Sequence, residues 1–272
     1  MKYITTLVKP LIHLTGNALG QKVLLVILKV VQYLMGIGAG GDIENSGENS
    51  IIPFIKKISA KPNVVIDVGA NQGQFLNLLR SGYRSHEDYS VHCFEPSKYT
   101  FDLLVNNCKS SDNVIFKNLA LAQNIGELTL YYPFVGTGYA SLTKRSMDHY
   151  GLDFKNSETV SVTSLDTYCS NNAIDHISLL KIDVEGHELD VILGAKLLFQ
   201  DGRIDCCTFE FGGAHVDTQT SFKVFYNFFI GNNMRVYRIT PSGYHSEIKR
   251  YREIEENYRD SNYLAVRAEL VN

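Results

Sequence analysis

From residue 63 to the end of the chain, short runs of β-branched and aromatic residues alternate with longer amphipathic runs. This alternation is typical of buried parallel strands joined by covering helices. It predicts an α/β domain with a doubly wound, mostly parallel seven-stranded sheet whose last two strands form a hairpin. GELTLYY and ETVSVTSL are predicted as further extended segments. The seven strand candidates are VVIDVG (64–69), YSVHCFE (89–95), NVIFKNLAL (113–121), HISLLKIDVEG (176–186), IDCCTFEF (204–211), MRVYRIT and NYLAVRA.

The pattern of apolar and polar residues in 1–60 differs from that in 61–272. We therefore predict a helical N-terminal extension and linker, residues 1–60, followed by the main domain, residues 61–272. The pattern favours helices at about 3–15 and 20–35, then a turn-rich link, GGDIENSGENS, that ends at Ile51. The apolar segment 23–39 is interrupted by Lys29 and contains several glycines, which disfavours a membrane-spanning helix.

A secretory signal is also disfavoured, because the apolar stretch starts at Val23 rather than directly after a short basic start. Two alternatives stay open for residues 1–40. The helices could pack on the main domain or on a partner. They could also contact a membrane surface peripherally through their lysines and apolar neighbours. The lysines in question are Lys2, Lys9, Lys22 and Lys29.

Composition narrows the class of protein. The 272 residues include 26 Lys and Arg against 29 Asp and Glu, a net charge of −3, so a dedicated DNA or RNA binder is disfavoured. The five cysteines lack a C-x-x-C spacing and lie mostly in apolar runs, which indicates buried free thiols, a reducing compartment and no zinc ribbon. We therefore expect a cytoplasmic protein that could lie at the membrane surface. The cysteines are Cys93, Cys108, Cys169, Cys206 and Cys207.

Ligands of doubly wound sheets bind beyond the carboxyl ends of the strands, beside the first strand. There the chain has D-x-G-x-N-x-G from Asp67 to Gly73, with Asn71 where a dinucleotide fingerprint has the glycine that admits a pyrophosphate. Glu95 ends the second strand, where a carboxylate can accept both ribose hydroxyls. This pattern favours S-adenosylmethionine (SAM) over NAD. The alternative is that Gly69 and Gly73 only permit a tight turn and that Glu95 is a solvated loop acid.

The segment KIDVEGHE gathers ionisable groups at the end of the fourth core strand. Asp183 ends the strand, Glu185 lies in the turn, and His187 and Glu188 begin the next helix. Carboxylates held close together perturb one another's pKa and can prepare a general base or a metal site. The alternative is that Glu185 and Glu188 complement the helix N-terminus and that His187 is a surface residue. An acid that ends a buried strand is costly without a role, so Asp183 is predicted to be functional.

Several segments resemble the FkbM family of class I SAM-dependent methyltransferases. They are VVIDVGANQGQF, HCFEPS, NLALAQNIGELTLYY, and TSLDTY followed by LLKIDVEGHELDVILGA. The resemblance covers roughly Gly36 to Phe211, including the upstream segment MGIGAGGDIENSGE. It implies a class I methyltransferase fold and methyl transfer to a hydroxyl of a sugar, glycan or natural product. Carried over by position, it implies cofactor binding by Asp67, Gly69, Asn71, Gly73, Glu95, Asn118 and Ala120, and catalysis by Asp183, Glu185 and His187.

A sugar hydroxyl is hardly ionised at neutral pH, so a positioned base would accelerate methyl transfer by about 10²–10⁴-fold. Asp183 and His187 are the candidate bases, and Glu185 could orient either of them. No metal ligand is assigned, although a divalent cation on Asp183, Glu185 and Glu210 is chemically reasonable. The acceptor itself and the oligomeric state are left open.

Two other functions remain as alternatives. An NAD-dependent sugar oxidoreductase would share the ribose-binding acid, but it conflicts with Asn71, and neither Tyr99 nor Tyr139 begins a Tyr-x-x-x-Lys pair. A non-catalytic nucleoside-binding module would not need the acid cluster of KIDVEGHE.

Overall fold

The computed structural model describes residues 9, 11–41, 45–59, 63–83, 85, 88–108 and 113–271. Of the first predicted helix it contains α1, Leu11–Thr15, while residues 3–8 and 10, like Lys2, lie outside the described residues. The second predicted helix is confirmed as α2, Ala18–Leu34, which starts where the Asn17 side chain accepts a hydrogen bond from the Gly20 N–H.

Neither α1 nor α2 has a buried residue among those described, although the end of α2 is hydrogen-bonded to Arg259 of the main domain through Gln32. Whether these helices bind the domain, a partner or a membrane surface stays open. No helix in the described part of the chain is both long and apolar enough to cross a membrane. Residues 42–44 of the predicted link lie outside the described residues.

The main domain contains eleven strands among the described residues. They are β1 Asn63–Val68, β2 Tyr89–Phe94, β3 Val114–Lys117, β4 Ala120–Leu121, β5 Gly126–Tyr132, β6 Asn156–Thr163, β7 Ile177–Ile182, β8 Ile204–Phe211, β9 Met234–Ile239, β10 His245–Glu247 and β11 Ser261–Arg267. The remaining helices are α3 Ile51–Ile58, α4 Gln74–Gly82, α5 Lys98–Cys108, α6 Leu165–Asn171, α7 Glu188–Leu193, α8 Lys196–Gln200, α9 Ala214–Asp217 and α10 Phe222–Gly231.

The main sheet has the order β10-β9-β11-β8-β7-β1-β2-β3. Strands β1, β2, β3, β7 and β8 pair in parallel, while β11 runs antiparallel between β8 and β9. The chain therefore has the expected doubly wound α/β architecture, with a mixed sheet. The predicted strand count of seven is wrong: β10, a three-residue strand that pairs with β9 after a tight turn, makes an eighth.

A second, three-stranded sheet stands beside the main one, in the order β4-β6-β5. The predicted third strand, 113–121, is in fact divided, since β3 stays in the main sheet and β4 pairs with β6. The two extended segments predicted after it are β5 and β6, which pair antiparallel. This small sheet brings the loop 133–155 over the end of the main sheet.

Both faces of the main sheet are covered, because successive residues of each strand point to opposite faces. Val65 of β1 packs with residues of α3, α4 and α5, while Ile66 packs with residues of α6, α7 and α10. All five cysteines are buried and free, as predicted.

Helix α3 was not indicated by the sequence, yet it contributes Ile51, Ile52 and Ile55 to the core. Burying such side chains contributes about 1.5–3 kcal/mol each. Residues before position 60 thus complete one face of the sheet. The division of the chain at residue 60 stays a prediction.

Candidate active site

A cleft of about 1130 Å³ opens at the carboxyl ends of β1, β2 and β7. This is the edge at which doubly wound sheets bind ligands. Two of the predicted site residues, Gly73 and Asn118, do not line the cleft. Those that line it are Asp67, Gly69, Asn71, Glu95, Ala120, Asp183, Glu185 and His187.

The turn after β1 depends on its glycines. Gly69 has φ +82°, and a Cβ there would lie 1.8 Å from the backbone oxygen of Asp183. Gly73 has φ +92°, and its Cβ would lie 2.1 Å from the Cys108 sulfur. Glycine tolerates such φ values and leaves room for these close approaches. Gly69 therefore keeps the ends of β1 and β7 together, while Gly73 lets α4 pack on α5.

Glu95 is buried and bound to the backbone at both carboxylate oxygens. The N–H groups of Asn71 and Ser97 donate to Oε2 and Oε1, each over 3.0 Å. The Asn118 side chain donates to the backbone oxygens of Glu95 and Pro96 over 2.9 and 2.8 Å. Burial raises the pKa of Glu95 to about 7. Asn118 thus supports the segment that carries Glu95 from outside the cleft.

Asp67 is fully buried, and neither of its carboxylate oxygens has a hydrogen-bond partner among the described residues. The same holds for the side-chain oxygen of Asn71. Lys181 Nζ lies 3.9 Å from Asp67 and 3.1 Å from Asp183. Burial raises the pKa of Asp67 to about 6, although the Lys181 ammonium opposes this. Buried acceptors without partners fit a ligand that brings its own N–H or O–H donors.

Asp183 follows β7 directly, and its side chain is 47% exposed. Next to it, Glu185 has φ +55° and forms an ion pair with Arg145. Burial raises the pKa of Glu185, against the opposing charge of Arg145. Ser141 Oγ donates to the Glu185 backbone oxygen over 2.7 Å, which ties the turn to the loop 133–155.

His187 lies in the middle of a short polar chain. Its Nδ1 is 2.6 Å from Asp190 Oδ2, and its Nε2 is 2.8 Å from Thr143 Oγ1. A carboxylate at Nδ1 favours the tautomer with the proton on that nitrogen. In that tautomer Nε2 is a hydrogen-bond acceptor, to which a hydroxyl group such as that of Thr143 can donate.

Glu188 is buried and does not face the cleft. It accepts hydrogen bonds from the N–H groups of Val184 and Gly186, and His215 Nε2 lies 2.9 Å from it. Burial would raise the pKa of Glu188, but His215 and the backbone N–H groups of Val184 and Glu188 hold it below its ordinary value. Glu210, by contrast, lines the cleft, and burial together with the nearby Asp183 raises its pKa.

Part of the cleft wall comes from residues that were not predicted as site residues. Glu48, in the link before α3, lines the cleft near Lys181, and burial raises its pKa. A Cβ on Gly40 would lie 2.9 Å from Glu210 Oε2, so the small residue admits the carboxylate. Exposed aromatic rings also line the cleft: Phe134, Tyr139, Tyr150 and Tyr258.

Metal binding was left open by the sequence. Within the part of the chain that the structure describes, no group of three or more His, Cys, Asp or Glu side chains is placed to hold a metal ion.

Comparison with known proteins identifies relatives of this chain. Hexuronic acid methyltransferase AglP of Haloferax volcanii is 25% identical over 150 residues, which are 54% of this chain and 56% of the relative. The 2-O-methyltransferase NoeI of Sinorhizobium fredii is 27% identical over 157 residues, 52% of this chain and 61% of the relative. The chain thus matches little more than half the length of these curated relatives.

Among solved structures, methyltransferase FkbM from Methylobacillus flagellatus is similar with a TM-score of 0.44 and 11% identity, over 88% of this chain and 59% of that one. The sequence-family model of the methyltransferase FkbM domain matches residues 67–248, which include the glycine turn, Glu95 and KIDVEGHE. The chain belongs to the FkbM methyltransferase family.

Proposed function

We propose that this protein is a SAM-dependent O-methyltransferase that acts on a hydroxyl group of a sugar or glycan. One observation carries the proposal. A single cleft is lined by Glu95, a carboxylate suited to a ribose, and by Asp183 and His187, two groups suited to take a proton. The two relatives, a hexuronic acid methyltransferase and a 2-O-methyltransferase, support this class of reaction.

The hydrogen-bond acceptors of the cleft fit SAM. Each oxygen of Glu95 uses one lone pair on a backbone N–H and keeps another for a ribose hydroxyl. Asp67 and Asn71 offer buried oxygens without hydrogen-bond partners, which suit the ammonium or hydroxyl groups of this cofactor. Asn71, unlike a glycine, adds a side chain where a dinucleotide's pyrophosphate would approach the backbone, which favours SAM over NAD. When bound, SAM supplies a methyl group on a positively charged sulfur.

Methyl transfer to a hydroxyl requires that the hydroxyl lose its proton as the new bond forms. Asp183 is half-exposed at the cleft edge, with Lys181 at 3.1 Å to fix one of its oxygens. His187 is held through Nδ1 by Asp190, so that its Nε2 can exchange Thr143 for an acceptor hydroxyl. We propose that one of these two groups takes the proton, and that Glu185 positions the turn through its contact with Arg145.

The acceptor would enter between the glycine turn and the aromatic rings of the cleft mouth. Tyr150 and Phe134 are 71% and 53% exposed, although both line the cleft. Exposed rings at a cleft mouth offer apolar faces to a ligand with both apolar and polar parts. We further propose a cytoplasmic location with peripheral membrane contact through residues 1–40, without nucleic acid as a partner.

The experiment is a methyl-transfer assay with SAM carrying a labelled methyl group and a panel of uronic acids, neutral sugars and glycans. We expect label in a sugar product, together with one equivalent of S-adenosylhomocysteine. Label in no acceptor, with reduction of NAD by the same sugars, would support the oxidoreductase instead. Binding of SAM without any transfer across the panel and across cell extracts would support the non-catalytic module.

A further inference from the structure

Helix α2 exposes an apolar surface that nothing in the described part of the chain covers. Its apolar side chains are between 41% and 72% exposed. Residues spaced by three and four share one face of a helix, and here they form the apolar stripe Leu19, Val23, Ile27, Val30 and Leu34. Among the described helices, α2 included, none is both long and apolar enough to cross a membrane. Such a surface is costly in water unless something covers it.

The charges around the stripe indicate what kind of surface covers it. Lys22 and Lys29 are two helical turns apart on one face, and each precedes a residue of the stripe, about 100° away around the helix. Residues 1–41 contain four lysines and no acidic residue, while all 29 Asp and Glu lie beyond them. An apolar face flanked by lysines suits anionic lipid headgroups. A second copy of the chain would bring the same lysines to the interface.

The C-terminal end of α2 is fixed beside the cleft. Gln32 accepts a hydrogen bond from Arg259, which lines the cleft, over 2.5 Å. The Met35 backbone oxygen accepts from Arg238 over 2.8 Å. Four residues beyond Leu34, Gly38 already lines the cleft. Because four residues span at most about 14 Å, the cleft wall lies within that distance of the end of the helix.

We propose that α2 binds in the surface of an anionic membrane, and that the acceptor is a saccharide carried on a lipid of that membrane. The stripe enters the headgroup region while Lys22 and Lys29 stay at the phosphate level. The cleft is then held next to the layer in which a lipid-linked saccharide lies. The part concerning the acceptor rests on the proposed methyltransferase activity, whereas the docking of α2, which specifies the proposed membrane contact, does not.

Docking is tested by sedimentation of the protein with two kinds of vesicle. One consists of phosphatidylcholine alone, and the other contains about 30% phosphatidylglycerol, which makes its surface anionic. We expect binding to the anionic vesicles and at least tenfold weaker binding for the K22E/K29E double variant, since each lysine near such a surface contributes about 1 kcal/mol. K249E/R250E, a matched pair of exposed charges elsewhere, should bind like the parent. I27D/V30D tests the apolar stripe and should also lose binding.

All four of these positions in α2 are exposed, so unchanged thermal unfolding of the main domain serves as the control for folding. A parent protein that does not bind anionic vesicles would overturn the docking. So would a stable dimer that I27D/V30D dissociates, because it would identify a second copy as the cover. Equal binding by K22E/K29E and K249E/R250E would overturn the role of the lysines.

The acceptor is tested by incubating washed membranes of the source cells with the protein and methyl-labelled SAM. We expect label in the chloroform–methanol extract, released into water by mild acid, and much less label with K22E/K29E than with K249E/R250E. Label confined to water-soluble glycans would overturn the lipid-linked acceptor but leave the methyltransferase function standing. Label in neither fraction would contradict the proposed function and the acceptor with it, and the vesicle result would still decide the docking.

Discussion

The backbone N–H of Asn71 donates a hydrogen bond to Glu95 over 3.0 Å, which joins the turn after β1 to the end of β2. The other oxygen of Glu95 accepts from Ser97 over the same distance. Glu95 is therefore both a candidate ribose ligand and a brace between two strand ends. Its replacement should affect the ligand more than the fold, since both neighbouring segments are also held by the sheet.

Glu95→Gln should weaken binding of S-adenosylhomocysteine at least tenfold. Glutamine has a single acceptor oxygen, so its NH₂ group must face a backbone N–H, and charge-assisted hydrogen bonds of about 1.5–3 kcal/mol each are lost. Titration calorimetry measures the change. Glu127→Gln, on an exposed part of β5, is the matched control. Equal affinity of the Glu95 variant and the parent would show that Glu95 does not hold the ribose.

Stability should depend on pH through the buried carboxyls of the cleft. Burial raises the pKa of Asp67 to about 6 and that of Glu95 to about 7. The folded protein therefore binds more protons than the unfolded chain between the ordinary and the raised pKa values. Stability contributed by these groups is full at about pH 4 and is lost as the pH rises to about 7.

Glu95→Gln removes one of these titrations, so the fall in Tm between pH 5 and pH 8 should shrink by roughly 5 °C relative to the parent. Thermal unfolding of the ligand-free protein at both pH values measures the difference. The comparison concerns the pH slope, so a uniform loss of stability in the variant does not affect it. An unchanged slope would mean that Glu95 titrates normally.

Gly69→Ala should cost at least about 2 kcal/mol of folding free energy. An L-residue at φ +82° is strained by about 1–2 kcal/mol, and the new Cβ would meet the Asp183 backbone oxygen. Denaturant unfolding measures the loss. Gly231→Ala is the control, because nothing lies within 4 Å of a Cβ there and its φ is not positive. Similar, small effects at both positions would contradict the close contact of the β1 and β7 ends.

Asp183→Asn is nearly isosteric and should leave S-adenosylhomocysteine affinity within a few-fold of the parent while turnover falls by about 10² or more. His187→Ala should do the same if His187 is the base, and less if it only orients the acceptor. If His187 is the base, Asp190→Asn should also lower turnover and should alter the pH–rate profile. Full turnover by both the Asp183 and His187 variants on a verified acceptor would exclude this edge of the cleft as the source of the base.

The fold and the position of the cleft could be predicted from the sequence because local patterns determine them. Apolar runs such as that of β7, ended by Asp183, mark a strand and its carboxyl end, and a D-x-G-x-N-x-G turn marks the adjacent loop. The short strand β10 could not be predicted in the same way, since it contains no buried residue and no apolar run.

The rest of the site depends on contacts between distant segments. Glu48 lies in a turn-rich link, and nothing in its neighbours indicates that tertiary packing turns it toward Lys181. Lys181 did carry a signal, because a lysine in a fully buried strand requires a charged partner. Gly73 and Asn118 were predicted as ligand-binding residues but lie beside the cleft, since Gly73 lets the turn pack against Cys108 and Asn118 holds the backbone of Glu95 and Pro96.

We expect the cleft to bind SAM rather than a dinucleotide, and calorimetric titration of the parent protein with S-adenosylhomocysteine and with NAD distinguishes the two. We predict saturable binding of S-adenosylhomocysteine at one site per chain, weakened at least tenfold by Glu95→Gln, and no binding of NAD under the same conditions. Saturable binding of NAD with none of S-adenosylhomocysteine would contradict the account.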